Sequence, residues 1–195
     1  MKIALTPQLL VSAYAQGYFP MGREESSEIL WYNPDPRAII PLDNFHLSRR
    51  LAREMRKQKF RVSFDEDFGG VMRACAERED TWITDALIQA YTKLHKSGFA
   101  HSVEVWDQDR LVGGTYGVSI GGVFFAESKF KRKDNASKMA LFHLVQRLKS
   151  RGFKILEVQF LTEHLKSLGA VEIPKADYLL RLAEAIELPT DFNDI

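Results

Sequence analysis

The sequence lacks several things, and each absence closes off a class of function. It has one cysteine, Cys75, in 195 residues. No intramolecular disulfide can form, and a zinc site built on several thiolates is excluded. Charge of neither sign is in excess: 27 basic residues against 26 acidic ones leave a formal net charge of +1. Affinity for nucleic acid must therefore come from local clustering. No apolar run approaches the length of a membrane span. The opening MKIALTPQLLVSAYAQGYFP resembles a signal peptide only superficially, because Thr6, Pro7 and Gln8 interrupt it. No membrane association and a cytoplasmic location are the expectations. There is no phosphate-cradling glycine loop, since Gly113-Gly114 and Gly121-Gly122 lack the required spacing. His46, His95, His101, His143 and His164 show no metal-ligand spacing with carboxylates, so no metal is expected. Cys75, in an apolar helical context with no activating base, reads as buried and inert.

What is present is a stretch around which the chain is organised, His101 to Ser150. It reads as three strands separated by turns, with Asp107 to Asp109 and Gly121-Gly122 as the turns. The third strand ends at Glu127 and Ser128. Four cations in five residues follow, Lys129, Lys131, Arg132 and Lys133. Asp134 or Asn135 can cap a helix whose apolar residues Met139, Leu141, Phe142, Leu144, Val145 and Leu148 recur at helical spacing. A meander ending beside a polar pair and a helix N-terminus suits chemistry on a polar or anionic substrate.

Before this stretch, Thr6 and Pro7 start a helix that Gly17 stops. Residues 17–41 read as a long loop rich in proline and aromatic rings, either capping the core or walling a cleft. Residues 46–58 read as a basic helix. Leu47, Leu51 and Met55 make its apolar stripe, and Arg49, Arg50, Arg53, Arg56 and Lys57 fill the rest. Seven cations in the thirteen residues from Arg49 to Arg61 form an electrostatic footprint for a phosphate backbone, or else a merely soluble face. Later, Lys154 to Leu161 is a strand in which Glu157 and Gln159 share one face. The tail 189–195 reads as frayed.

The order of three antiparallel strands, helix, strand, helix, strand resembles the core of the GCN5-related acyltransferases. The fold class expected is α+β, with a helix-and-capping portion over 1–45 and an acyltransferase-like domain over 46–195. The segment SKFKRKDNAS contains no glycine where coenzyme A members wrap a pyrophosphate. That argues for a different acyl donor, one carried on a polyanion.

The blocks GYFPM (17–21), WYNPDPR (31–37), HLSRR (46–50), TWIT (81–84), HSVEVW (101–106), LVGGTYGV (111–118), FFAES (124–128), NASK (135–138) and SLGAVEIP (167–174) occur in order. Together they resemble the leucyl/phenylalanyl-tRNA–protein transferases over nearly the whole chain. The resemblance implies transfer of leucine or phenylalanine, with methionine a further candidate, from aminoacyl-tRNA to proteins beginning with Arg or Lys. The product would be a signal for degradation, with proteolytic machinery only an indirect partner. No cofactor is implied, because the ester already carries the activation. The implied catalytic residues are Gln159, Glu157 and Glu127. Trp31, Trp82, Thr115, Phe124, Ser128, Asn135 and Leu141 are implied around the terminal adenosine and aminoacyl group. Arg49, Arg50, Arg53, Arg56, Lys57, Lys129, Lys131 and Arg132 are implied against tRNA. The family has Asp where this chain has Glu157. Thr115 and Lys129 stand where longer members place methionines. Another aminoacyl-tRNA-dependent acyltransferase, or a silent tRNA-binding module, are the alternatives.

Overall fold

The computed structural model describes residues 5–23, 26–77 and 81–193. Glu77 to Asp80 read from the sequence as a charged turn, and residues 78–80 of it lie outside the described residues. The described elements in chain order are α1 (Pro7–Ala15), β1 (Phe19–Arg23), β2 (Ser26–Tyr32), β3 (Arg37–Ile40), α2 (Arg49–Arg56), β4 (Arg61–Phe64), α3 (Phe68–Ala76) and α4 (Asp85–Lys96). There follow β5 (Ala100–Asp107), β6 (Arg110–Ile120), β7 (Val123–Lys131), α5 (Ala136–Ser150), β8 (Ile155–Gln159), α6 (Glu163–Lys166), β9 (Val171–Ile173) and α7 (Lys175–Ala185).

Local chemistry explains most boundaries. Thr6 accepts from the Leu9 amide and Pro7 opens α1, while Gly17 ends it with a φ of 83°. Ser48, Asp67, Thr84 and Thr162 cap α2, α3, α4 and α6 in the same way. Asn135 holds the cap position of α5 in a left-handed conformation, but its side chain makes no capping bond. The capping expected of it is therefore not what starts that helix. Gly113 matters more. A Cβ there would lie 2.5 Å from that of Ala136, so the bare strand lets the first turn of α5 settle on β6.

The main sheet has seven strands in the order β4-β5-β6-β7-β8-β3-β9. The pairs are antiparallel except β7 with β8, which run parallel. A parallel pair needs a crossover, and α5 supplies it. This is the α+β meander–helix–strand core expected. One apolar cluster, with Leu10, Tyr91 and Phe125, joins the sheet to α1, α3, α4 and α7. A second, with Phe124, Leu144 and Leu156, joins the other face to α5.

Two readings need correction. The long loop expected over 17–41 is a β1–β2 hairpin followed by β3, which inserts between β8 and β9 in the main sheet. Cross-sheet pairing between residues so far apart in sequence leaves no periodic signal when the strand is only four residues long. Of the tail expected to fray, residues 189–193 are docked, and 194–195 lie outside the described residues. Phe192 is 1% exposed, against Phe124, His101 and Phe64. Arg151 donates to the Asp191 and Asn193 carbonyls. Burial of this ring, together with the Arg151 bonds to the tail carbonyls, works against the entropy cost of ordering the tail.

Candidate active site

The site forms where β7 and β8 stop pairing. Their register ends at Phe125 opposite Glu157, after which β7 continues to Lys131 without its neighbour. A bulge falls at the same point. Tyr116 pairs with Ser128 and Gly117 with Ala126, so Glu127 is the extra residue. Bulges re-aim side chains, and this one brings Glu127 to the gap. A second irregularity lies in the β3–β8 register, where Ala38 pairs with Gln159 and Ile39 with Glu157. Gln159 ends β8 with a φ of 66°, a left-handed conformation that a residue with a side chain adopts at a cost of roughly 1–2 kcal/mol.

Glu127 is buried. The Tyr14 hydroxyl donates to its Oε1 at 2.6 Å, and Tyr14 in turn bonds the Tyr91 hydroxyl. Burial pushes the Glu127 carboxyl up to about 8, and the nearby Glu157 carboxylate adds to the rise. The two tyrosine hydroxyls and the Gln159 amide pull the other way. Glu127 Oε2 and Gln159 Nε2 are buried without a hydrogen-bond partner of good geometry among the described residues. A carboxyl oxygen and an amide donor thus lie close together at the gap.

Glu157 is fixed from behind. The fully buried Arg37 donates its Nε–H to Glu157 Oε1 at 2.7 Å and its Nη1–H to the Gly17 carbonyl at 2.9 Å. Its guanidinium lies between the rings of Phe19 and Tyr178, 4.8 and 4.7 Å from their centroids. Burial raises the Glu157 carboxyl, and Arg37 opposes that rise. Glu157 Oε1 also accepts the Gln159 backbone N–H at 2.5 Å, which holds the strained residue in place. Arg37, Tyr14, Tyr91 and Tyr178 were not singled out from the sequence. The signal that could have found Arg37 is an arginine inside an otherwise apolar stretch, WYNPDPRAII, where a buried cation needs a carboxylate.

Other expected residues divide by location. Thr115, Glu127, Ser128, Lys129 and Leu141 line one narrow cavity of about 50 Å³, with Val158 and Leu165. That is a throat well below the several hundred Å³ typical of ligand pockets, so a substrate has to widen it. The Thr115 hydroxyl is tied to the Ser128 carbonyl at 2.9 Å. Lys129 also lines a 540 Å³ cleft with Arg50, Lys131, Asn135 and Lys138, which continues past Arg50 and Asn135 into a second cleft of 650 Å³ beside Lys59 and Lys133. His164, in the first cleft, is pushed down by burial and then by Lys129, Lys138 and Lys131, a direct sign of positive potential. Arg49, Arg53, Arg56 and Lys57 are exposed along α2. Lys57 is bonded to Glu54, and Arg132 is held by both oxygens of Glu77.

Three expected residues lie elsewhere. Phe124 is fully buried against Phe192, on the α5 face of the sheet, and packs the core. Trp31 and Trp82 pack half-buried against the other cluster and do not line the cavity at Glu127. Side-chain alternation explains Phe124: it is three residues from Glu127, and so points to the opposite sheet face.

The raised Glu127 carboxyl gives a pH prediction. Below the ordinary carboxylate range both folded and unfolded chains hold this proton. Between that range and about pH 8 only the folded chain does, so stability from this group is lost as pH rises through the window. Glu127→Gln should flatten that slope in chemical denaturation run across the window. Equal slopes in both proteins would show that Glu127 is not its source.

A sheet split over a buried carboxylate, with a cation-lined cleft leading to it, defines an enzyme site for group transfer from an anionic carrier. Comparison with known proteins says which. The family description "Leucyl/phenylalanyl-tRNA protein transferase" matches residues 39–183, and its N-terminal domain matches residues 4–35. A protein of that name from Gloeobacter violaceus is 49% identical over 193 residues, 99% of this chain and 100% of that one. Another, from Cereibacter sphaeroides, is 52% identical over 97% of this chain and 89% of that one. Among solved structures, that of FemX matches with a TM-score of 0.49 and 12% identity, over 90% of this chain and 70% of that one. The chain belongs to the leucyl/phenylalanyl-tRNA–protein transferase family and is an aminoacyltransferase. No helix among the described residues is long and apolar enough to cross a membrane.

Proposed function

We infer that this chain moves a leucyl or phenylalanyl group from the 3′ end of tRNA to the N-terminal α-amine of proteins beginning with Arg or Lys. The observation that carries this is the convergence of Glu127, Glu157 and Gln159 at the β7–β8 gap, at the inner end of a cation-lined cleft. The α-amine nitrogen attacks the ester carbonyl carbon. The C–O bond to the ribose breaks, an amide forms, and the proton lost by the amine ends on the ribose oxygen. Glu127 accepts that proton in its carboxylate form, whose share grows as pH rises toward about 8. The buried Gln159 amide donates to the oxygen on which negative charge develops, and orients the amine. Glu157, held by Arg37, positions Gln159 through its backbone N–H. The site residues need supply no further activation, because the ester is already reactive. The marked product is a substrate for degradation.

The cations of α2, of the end of β7 and of the loop after it receive the tRNA backbone. Replacing Arg49, Arg53 and Arg56 together by alanine is expected to weaken tRNA binding and to lower its salt dependence by roughly 0.9 in log–log slope per lost phosphate contact. Binding measured across a salt series checks this. An unchanged slope would remove α2 from the tRNA interface.

A further inference from the structure

On the sheet face that carries Glu157 and Gln159, aromatic rings run from the interior to the surface. Phe19 is fully buried and lies over the Arg37 guanidinium. It packs against Tyr32 at 5.9 Å, nearly parallel, and against Phe160 at 5.8 Å, edge-on. Tyr32 and Phe160 are 36% and 43% exposed. Phe160 directly follows Gln159, and Tyr32 ends β2. Two half-exposed rings, anchored by a buried one, therefore border the end of β8. Rings already ordered in this way offer contact area at little entropic cost.

The two faces of the sheet differ in charge. The cation-lined cleft lies on the α5 face, between α2 and the N-terminus of α5. Phe19 and its neighbours pack on the opposite face, with α1 and α7. The donor occupies the first, so the acceptor reaches the β7–β8 gap from the second. An acceptor whose α-amine lies at Gln159 runs its next residue outward, and the exposed surface next along the chain from Gln159 is the ring of Phe160. We propose that Tyr32 and Phe160 form a platform for the second residue of the acceptor polypeptide, favouring an apolar or aromatic side chain there. The platform rests on the transfer reaction inferred above.

The test compares kcat/KM for two peptides that differ only at position two, Arg-Phe and Arg-Gly, with leucyl-tRNA as donor. Wild type should favour the first by roughly five-fold, the worth of one well-placed ring contact. Tyr32→Ser and Phe160→Ser should each bring the ratio toward one. The ratio is internal to each protein, so a general loss of activity does not move it. Tyr32 lies on the separate β1–β2 hairpin, which keeps the test open if the Phe160 variant folds poorly. Equal use of both peptides by wild type, or a preference that survives both substitutions, would overturn the platform. Transfer to neither peptide would instead contradict the transfer reaction itself.

Discussion

Replacing Arg37 by methionine is expected to cost about 3–5 kcal/mol of folding stability and to remove transfer activity as well. The residue is wholly buried, bonded to Glu157 and the Gly17 carbonyl, and enclosed by two rings. Its removal strands a buried carboxylate, which can stay in the interior only by taking a proton. Adding Glu157→Leu should recover most of the stability, because both charges then leave the interior together. It should not recover transfer, because the Gln159 backbone N–H has then lost its acceptor. Denaturant titration and single-turnover transfer on the three proteins separate these effects. Arg37→Met with wild-type stability would contradict the buried pair.

Gln159 carries the second large effect. Gln159→Ala is expected to lower the rate of transfer by about 10²-fold, the scale of losing one donor to a developing oxyanion. The two small substitutions should differ in stability, though not in activity. At a φ of 66°, alanine keeps the steric cost that glycine avoids, so Gln159→Gly should be the more stable by roughly 1 kcal/mol. A stable variant without activity is the expected signature of strain held for function. Thermal unfolding and transfer rates on both variants check it. Equal stabilities would mean that the backbone relaxes and stores no strain.

Much of this architecture was legible from local chemistry. Thr6 with Pro7 marks α1, the spacing from Met139 to Leu148 marks α5, and the turns at Asp107 and Gly121 divide the meander. Glu157 and Gln159 were legible as a pair because strand alternation puts them on one face. What was not legible depends on contacts distant in sequence. β3 enters the sheet 116 or more residues before its β8 partners, as Ile40 opposite Leu156 illustrates. The bulge that re-aims Glu127 is set by a register between β6 and β7, not by a turn residue. Arg37 reads as one more cation until Glu157, Phe19 and Tyr178 close around it. Phe192 reads as the end of a polar tail until the ring finds Phe124. In each case tertiary packing overrode a local reading, and at Glu127 and Gln159 it did so where the chemistry is placed.

The account depends on the β7–β8 gap as the place of transfer. The most direct measurement follows labelled leucine from charged tRNA onto a peptide beginning with Arg, using wild type and the double variant Glu157→Ala, Gln159→Ala. tRNAs charged with other amino acids, and a peptide beginning with Asp, serve as comparisons. The prediction is that wild type moves leucine and phenylalanine onto the Arg peptide and leaves the Asp peptide unlabelled, while the double variant moves neither. Transfer by the double variant at the wild-type rate would contradict it.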